Sequence, residues 1–193
     1  MGQRIGLFGG TFDPPHLGHL AVALAARDAL ELDRTLLVVA NQPWQKVGQR
    51  PVTEAHHRLA MTELLVQNSD GLEASDLEIV RGGMSYTIDT VKQLQEVGHE
   101  VVLIMGADAA AGVDSWERAT ELSRLTRIAV VDRPGYDLPE LANWSVTKIP
   151  AQSISVSSSQ LRSSMSEGSP AADSIPSAVR RYIDSHHLEW PER

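Results

Sequence analysis

The sequence predicts an α/β protein that has a mainly parallel sheet with helices on both of its faces. Apolar runs at residues 35–40 and 101–105 are nearly continuous, which is typical of parallel strands that are covered on both sides. Stretches with apolar residues at helical spacing alternate with these runs along the chain. Alternating strands and helices form layered sheets with right-handed crossovers. We expect one domain over residues 1–193, with a small helical extension over about residues 153–193.

The first strand and the first helix flank a loop that is rich in glycine and proline. The apolar run at residues 5–8 is interrupted by Gly9 and Gly10, and an amphipathic run begins at Leu17. Pro15 suits a helix start, because its missing N–H would have no partner in the first turn. We therefore expect the first helix at residues 17–30.

The later elements are predicted from apolar spacing and from turn residues. Thr53 is expected to cap the second helix, and residues 77–80 are expected to form a short strand. A helix from Ser85 is expected to end at Gly98, the residue type favoured just past a helix C-terminus. The remaining expected elements are a helix containing Trp116 and Leu122, strands at 128–131 and 145–149, a short helix opening over 157–164, and a terminal helix after Pro176.

The composition argues against some classes of partner and indicates the cellular compartment. The net charge of −8 argues against broad nucleic-acid binding, which requires a basic surface. The chain has no cysteine, and none of its apolar runs approaches the roughly 20 residues that a membrane span needs. We expect a cytoplasmic protein with no signal peptide, no nucleic-acid partner and no membrane partner. A homo-oligomer is left open.

The loop after the first strand has the features of an anion site. Gly9 and Gly10 allow a ligand to approach the main-chain amides closely. The helix that follows offers N–H groups and the positive end of its dipole. His16 and His19 are three residues apart and share one face at that end of the helix. The loop is expected to bind phosphate.

Three polar segments follow expected strands and are therefore expected at one edge of the sheet. They are residues 9–19, residues 41–46 and residues 106–108. In open α/β sheets, ligands bind outside the carboxyl ends of the strands, where the strand order reverses. We expect a single active site that draws on all three segments.

The string GGTFDPPHLGH at residues 9–19 closely resembles the signature of the nucleotidyltransferase superfamily with the T/H-x-G-H motif. Within it, the string resembles the bacterial nicotinate mononucleotide adenylyltransferases. It is neither a P-loop nor a dinucleotide G-x-G-x-x-G fingerprint. The resemblance implies a Rossmann-like nucleotidyltransferase fold. It also implies transfer of the adenylyl group of ATP to nicotinate mononucleotide, which yields nicotinate adenine dinucleotide and pyrophosphate.

The resemblance implies an ATP site made from several parts of the chain. The segment VSSSQLR at residues 156–162 is similar to the family's I-S-S-T-x-I-R, in which the hydroxyls and the arginine hold the β- and γ-phosphates. His16 and His19 would stabilise the transition state, and Gly106 and Asp108 match the contacts to the adenosine ribose. The implied ATP-binding residues are Gly9, Gly10, Thr11, Phe12, His16, His19, Gly106, Asp108, Arg133, Ser158, Ser159 and Arg162.

The string SYTIDT at residues 85–90 resembles one that is typical of the nicotinate enzymes and implies the acceptor pocket. There Tyr86 and Thr87 would meet the pyridine carboxylate, and Trp116 would stack on the pyridine ring. The alternative for Trp116 is packing in the core. Lys46 falls at a family lysine, although Gln45 replaces the histidine that precedes it, and the alternative is a solvated lysine. The implied acceptor-binding residues are Thr11, Lys46, Tyr86, Thr87 and Trp116, and the implied catalytic residues are His16, His19, Lys46 and Arg162.

The chemistry implied by the resemblance requires little beyond positioning and charge neutralisation. A phosphate monoester has a second pKa of about 6, so the attacking oxygen is already anionic at neutral pH and no general base is required. Mg²⁺ is expected on the phosphates, with no protein side chain as its ligand. A metal held by His16 and His19 is the competing idea, and no third ligand is evident for it.

Several other readings of the same residues remain open. Related enzymes act on nicotinamide mononucleotide or phosphopantetheine, and a cytidylyltransferase would use the same phosphate-binding motifs. A non-catalytic nucleotide-binding module and a fragment of a class I synthetase are further alternatives. The polar residues 163–175 depart from the family, where the corresponding stretch is commonly aromatic or apolar. The serine-rich stretch at residues 153–169 also fits a flexible linker.

Overall fold

The computed structural model describes residues 2–44, 51–132, 141–150, 158–166 and 174–190, which are arranged around one six-stranded sheet. The strand order is β3-β2-β1-β4-β5-β6, and every neighbouring pair is parallel. The predicted parallel α/β fold is thereby confirmed. The strands are β1 (Arg4–Gly10), β2 (Arg34–Val39), β3 (Leu72–Ser75), β4 (Glu100–Gly106), β5 (Arg127–Val131) and β6 (Val146–Ile149).

Eight α-helices are found in the described parts of the chain, together with a short 3₁₀ turn at Val113–Ser115. None of these helices is both long enough and apolar enough to cross a bilayer. The α-helices are α1 (Leu17–Leu30), α2 (Ala55–Val66), α3 (Leu77–Arg81), α4 (Thr87–Glu96), α5 (Ala107–Ala110), α6 (Ala119–Leu125), α7 (Ser158–Ser166) and α8 (Ser177–Ser185).

Alternation along the strands divides the core between the two faces of the sheet. On β4, Val102 and Ile104 face a cluster that includes buried residues of α1, α2, α7 and α8. The alternate residues Val101 and Leu103 face a second cluster, which includes residues of α4, α5 and α6. Successive side chains of a strand point to opposite faces, so a continuous apolar run fills both layers. This explains why the strongest strand signals in the sequence belong to the central strands.

The strand order reverses between β1 and β4. The chain passes from β1 outward to β2 and β3, and then returns to β4 on the other side of β1. Connections diverge at such a switch point and leave a crevice outside the carboxyl ends of the two strands. The segments after β1 and β4 therefore flank the place where a ligand is expected.

Three local predictions are wrong. The run at residues 77–80 forms helix α3, and the strand is Leu72–Ser75, which pairs with β2 at the edge of the sheet. Only Leu72 is buried in that strand, so it carries no apolar run. The N-cap of α2 is Glu54 rather than Thr53. Trp116 adopts an extended conformation before α6, because the 3₁₀ turn ends there and α6 starts only at Ala119.

Candidate active site

The loop after β1 is shaped by two glycines and one left-handed residue. A Cβ atom added at Gly10 would lie 2.7 Å from the ring of Phe12, so this position has no room for a side chain. Phe12 has φ of +50° and is buried between Phe8 and His19, in edge-on contact with both rings. A Cβ atom at Gly9 would meet no atom of the described residues within 4 Å. The main chain at Gly9 therefore faces open space, in which a ligand can approach it.

The two histidines form a capping box at the start of α1. His16 is the N-cap, and its Nδ1 accepts from the N–H of Gly18 at 3.1 Å. The Nδ1 of His19 accepts from the N–H of His16 at 3.2 Å, and the two ring centroids are 3.8 Å apart. A neutral imidazole whose Nδ1 accepts a hydrogen bond carries its proton on Nε2. Each ring is thereby fixed as an Nε2–H donor beside the helix N-terminus.

Helix α7 docks onto the same loop through side chains of the second predicted motif. The Oγ of Ser158 donates to the carbonyl of Pro14 at 3.0 Å. The Nη1 of Arg162 donates to the carbonyl of Asp13 at 2.7 Å, and its Nη2 donates to the Oγ of Ser159 at 2.9 Å. Two motifs that are separated by about 140 residues in the chain are thus in direct contact. The predicted phosphate-binding residues are brought together.

Gly106 and Asp108 lie after β4, on the other side of the switch point. Gly106 ends the strand, and among the parts of the chain that the structure describes nothing lies within 4 Å of a Cβ atom placed there. Asp108 is exposed in α5, which begins directly after the strand. Because β1 and β4 are hydrogen-bonded neighbours, Gly9 and Gly106 border one crevice. This is the arrangement expected for a nucleotide that crosses both strand ends.

The residues predicted for the acceptor are tied to the loop after β2. Ser85 accepts from the N–H of Asn41 through its Oγ at 2.8 Å, and its own N–H donates to the carbonyl of Gln42 at 3.0 Å. Tyr86 and Thr87 follow at once, as the N-cap and the first residue of α4. Trp116 is half-buried and packs against the core cluster on the α4 side of the sheet, so part of its ring is exposed and part belongs to the core.

Two of the predicted site residues lie outside the described parts of the chain. They are Lys46, together with the neighbouring Gln45, and Arg133. Their assignment to the site stays a prediction. Within the described ranges, no three side chains of histidine, aspartate or glutamate are grouped so that they could hold a metal ion.

Arg58 was not predicted from the sequence, although it organises this edge of the sheet. Its side chain is 1% exposed. Its guanidinium donates to the carbonyls of Thr53 at 2.7 Å, Thr11 at 2.9 Å and Asn41 at 3.1 Å. A signal was present, because Arg58 shares the buried face of α2 with Met61 and Leu65. A charged residue on an apolar face is informative, since it is almost never fully buried unless it is paired.

Trp190 is the second residue that was missed. Its indole Nε1–H donates to Oδ1 of Asp13 at 2.8 Å, across 177 residues of sequence. The carboxylate of Asp13 is itself buried, with the residue 1% exposed. No local spacing in the sequence indicates such a contact.

Fold and site together define a nucleotide-binding α/β protein of the nucleotidyltransferase type, in which a histidine pair and a serine–arginine helix meet at the switch point. The sequence model of the family described as cytidylyltransferase-like matches residues 7–164. A relative from Herpetosiphon aurantiacus is 38% identical, with 96% of this chain and 98% of that protein aligned. A relative from Thermus thermophilus is 41% identical, with 96% and 99% aligned. Both are described as probable nicotinate-nucleotide adenylyltransferases.

The fold also matches solved structures. A Plasmodium falciparum nicotinic acid mononucleotide adenylyltransferase complexed with NaAD has a TM-score of 0.82, at 22% identity over 96% of this chain and 97% of that chain. The same enzyme complexed with APC gives a TM-score of 0.80 at 21% identity over 96% of both chains. The chain therefore belongs to the cytidylyltransferase-like family and, within it, to the nicotinate-nucleotide adenylyltransferases.

Proposed function

We infer that the protein is an enzyme that transfers the adenylyl group of ATP to nicotinate mononucleotide, a step of NAD biosynthesis. One observation carries this function. The Ser159–Arg162 pair is held against the loop that leads to His16 and His19, at the carboxyl end of β1. Relatives that are 38–41% identical over nearly the whole chain carry the name of this activity. The products are nicotinate adenine dinucleotide and pyrophosphate.

The reaction is a direct displacement at phosphorus. A phosphate oxygen of nicotinate mononucleotide attacks the α-phosphorus of ATP and forms the new P–O bond. The bond from the α-phosphorus to the oxygen that bridges to the β-phosphate breaks, and its electron pair leaves with pyrophosphate. The attacking phosphate is already ionised at neutral pH. The protein is therefore required to align the two nucleotides and to neutralise the charge that develops.

The ATP side is assigned to the two motifs in contact. The Nε2–H groups of His16 and His19 are donors suited to the oxygens of the α-phosphate as it becomes pentacoordinate. Ser158, Ser159 and Arg162 are assigned to the departing pyrophosphate, because a guanidinium and hydroxyls at a helix N-terminus suit a polyanion. The open space at Gly9 and Gly106 is assigned to the nucleoside, with Asp108 near the ribose. The main chain over residues 10–12 supplies further donors.

Lys46 remains a proposal for a phosphate contact and Arg133 for the region of the adenosine ribose, by their sequence position alone. Mg²⁺ is also proposed, as a partner of the triphosphate. The described residues offer hydroxyl, imidazole and guanidinium donors to phosphate rather than a cluster of carboxylates, which fits a metal held mainly by phosphate oxygens. Bound there, it would supply further neutralisation of the leaving group.

The acceptor side is assigned to the start of α4 and to Trp116. The first N–H groups of a helix have no acceptor within the helix, and they attract negative charge. Such donors at Thr87 favour a pyridine carboxylate over a carboxamide, and the half-exposed ring of Trp116 is suited to stack on the pyridine. Thr11 lies between the ATP side and the acceptor side of the site. Arg58 binds its main-chain carbonyl together with that of Asn41, which belongs to the loop after β2.

Pyrophosphate release tests the function directly. The protein is incubated with ATP and Mg²⁺ and one of three acceptors: nicotinate mononucleotide, nicotinamide mononucleotide or phosphopantetheine. A parallel series replaces ATP with CTP. We expect rapid release with ATP and nicotinate mononucleotide, and at least tenfold lower kcat/KM with the carboxamide, because its amide cannot accept as the carboxylate does.

The outcomes separate the two halves of the proposal. Preference for another acceptor would contradict the pocket at Tyr86, Thr87 and Trp116 while leaving the phosphate site intact. Preference for CTP would contradict the adenylyl donor. No turnover with any combination, in a protein that still binds ATP, would identify a binding module instead of an enzyme.

A further inference from the structure

The stretch Asp13-Pro14-Pro15 in the loop after β1 has few main-chain donors that could anchor it. Pro14 and Pro15 have no N–H groups, so the stretch offers mainly acceptors, which are its carbonyls and the carboxylate of Asp13. The structure describes three donors to these acceptors. They are the hydroxyl of Ser158, the guanidinium of Arg162 and the indole of Trp190. All three come from the last quarter of the chain.

The indole bond differs from the other two because it reaches a buried carboxylate. A buried ionised group costs free energy unless hydrogen bonds compensate for it, and bonds to charged groups are the stronger ones. The indole Nε1–H of Trp190 is a donor only, and the 2.8 Å distance to Oδ1 of Asp13 is that of a good hydrogen bond. The contact therefore fixes the side chain of Asp13, which lies between Phe12 and Pro14.

Trp190 is itself held in place by the C-terminal segment. Its indole ring and the side chain of Leu188 pack against the core cluster shared by α1, α2 and α8. Leu188 donates its N–H to the carbonyl of Ile183 at 3.1 Å, which joins this segment to the end of α8. The indole is therefore held in place on one side by the core cluster and on the other by the buried carboxylate of Asp13.

We propose that Trp190 is a positioning residue for the adenylyl transfer, which acts through Asp13 on the loop that carries His16 and His19. The proposal rests on the proposed function. It extends the functional site to a residue that has no place in either sequence motif. Without the indole donor, the loop loses one of the three hydrogen bonds that the structure describes between its acceptors and the C-terminal part of the chain, and the histidines lose part of their alignment with the α-phosphate.

Trp190→Phe tests the proposal, because phenylalanine keeps an aromatic ring and removes the donor. We expect kcat to fall about tenfold and the KM for ATP to rise several-fold, while the KM for nicotinate mononucleotide stays within twofold of the native value. A variant that is merely less stable loses active molecules, so its kcat falls with both KM values unchanged. Thermal unfolding of the variant is measured alongside, and the kinetics are recorded well below its Tm.

Trp144→Phe is the matched control. The indole of Trp144 also donates to an aspartate carboxylate, Oδ1 of Asp114, at the same distance of 2.8 Å. Trp144 belongs to the core cluster on the opposite face of the sheet, and its partner Asp114 is exposed on that side, so loss of this bond should leave the KM for ATP unchanged. An equal rise in the KM for ATP in both variants would overturn the proposal, as would native kinetics in Trp190→Phe.

The dissociation constant for ATP keeps this proposal separate from the proposed function. Calorimetric titration of ATP into the native protein and into Trp190→Phe requires no turnover. Weaker ATP binding in Trp190→Phe than in the native protein would support the positioning role of Trp190, even if the native protein proved inactive with every acceptor. If the enzyme is active, equal ATP affinities and equal kcat values in the native protein and in Trp190→Phe would refute the positioning role of Trp190.

Discussion

The two histidines after β1 each serve the fold with one ring nitrogen, and in the proposed function each binds the ligand with the other. Both Nδ1 atoms accept main-chain N–H groups in the capping box, which fixes the rings and places their protons on Nε2. This dual use explains why the spacing of three residues is required. At another spacing the rings would not share the first turn of α1.

Replacement of His19 can separate these two roles. His19→Ala removes both the imidazole and the capping bond, whereas His19→Gln keeps a side chain that can reach back to the N-cap amide. We expect His19→Gln to retain the native Tm while kcat falls about 10²–10³-fold, because a transition-state donor is lost. His19→Ala should show a similar loss of kcat and a further destabilisation of about 1 kcal/mol. Near-native turnover in either folded variant would contradict the assignment of His19.

Arg58 is the residue on which three loops converge, so its replacement should affect stability strongly. Arg58→Met leaves the carbonyls of Thr11 and Asn41 without this donor, and we expect a loss of about 2–4 kcal/mol in the free energy of unfolding. Denaturant titration measures it. Arg4→Met is the control, since Arg4 donates from Nη1 to one carbonyl, that of Leu30, at the opposite edge of the sheet. An equal loss in the two variants would contradict the bridging role.

At the scale of elements, the contact between α2 and α8 carries a group of titratable side chains. The Nδ1 of His57 and the hydroxyl of Tyr182 share a hydrogen bond of 3.0 Å, and the ring of His186 stacks on that of Tyr182. Burial lowers the pKa of His57 from its ordinary value of 6.5; the neighbouring His56 and His186 lower it further, and Glu54 opposes them. The interface therefore favours a neutral His57.

This lowered pKa makes the stability of the fold dependent on pH. Between the ordinary pKa of about 6.5 and the lowered one, the unfolded chain binds a proton that the folded chain does not. Lowering the pH through this range therefore lowers the stability of the fold. We expect the free energy of unfolding to stay constant above pH 7 and to decrease as the pH falls from about 6.5 towards the lowered pKa. His57→Gln should flatten this decrease, as measured by denaturant titration at pH 7.5 and 5.5.

The matched control for this pH dependence is His99→Gln. His99 accepts from the N–H of Gln3 through Nδ1, and it lies before β4 rather than in the α2–α8 contact. Its replacement should leave the slope of stability against pH as steep as in the native protein. A slope that is the same for His57→Gln and for the native chain would show that His57 does not couple α8 to pH.

At the scale of the whole molecule, the sequence predicts what depends on runs and spacing, and misses what depends on distant partners. Strands β2 and β4 were predictable because both of their faces are buried. Strand β3 has a single buried residue, and a strand was predicted instead at the residues that form α3. The histidine loop and the α7 motif were predictable from their own residues. Arg58 and Trp190 were not, because their partners are carbonyls and a carboxylate that lie far away in the sequence.

The order in which the chain is made gives the docking of the C-terminal segment a consequence during synthesis. The loop after β1 leaves the ribosome well before its donors Ser158, Arg162 and Trp190. Translation at about 5–20 residues per second separates the two by roughly 10–35 s. For that interval the nascent chain carries a loop without its anchors. If Trp190 positions the loop as proposed, full affinity for ATP is expected only when the polypeptide has been extended through Trp190.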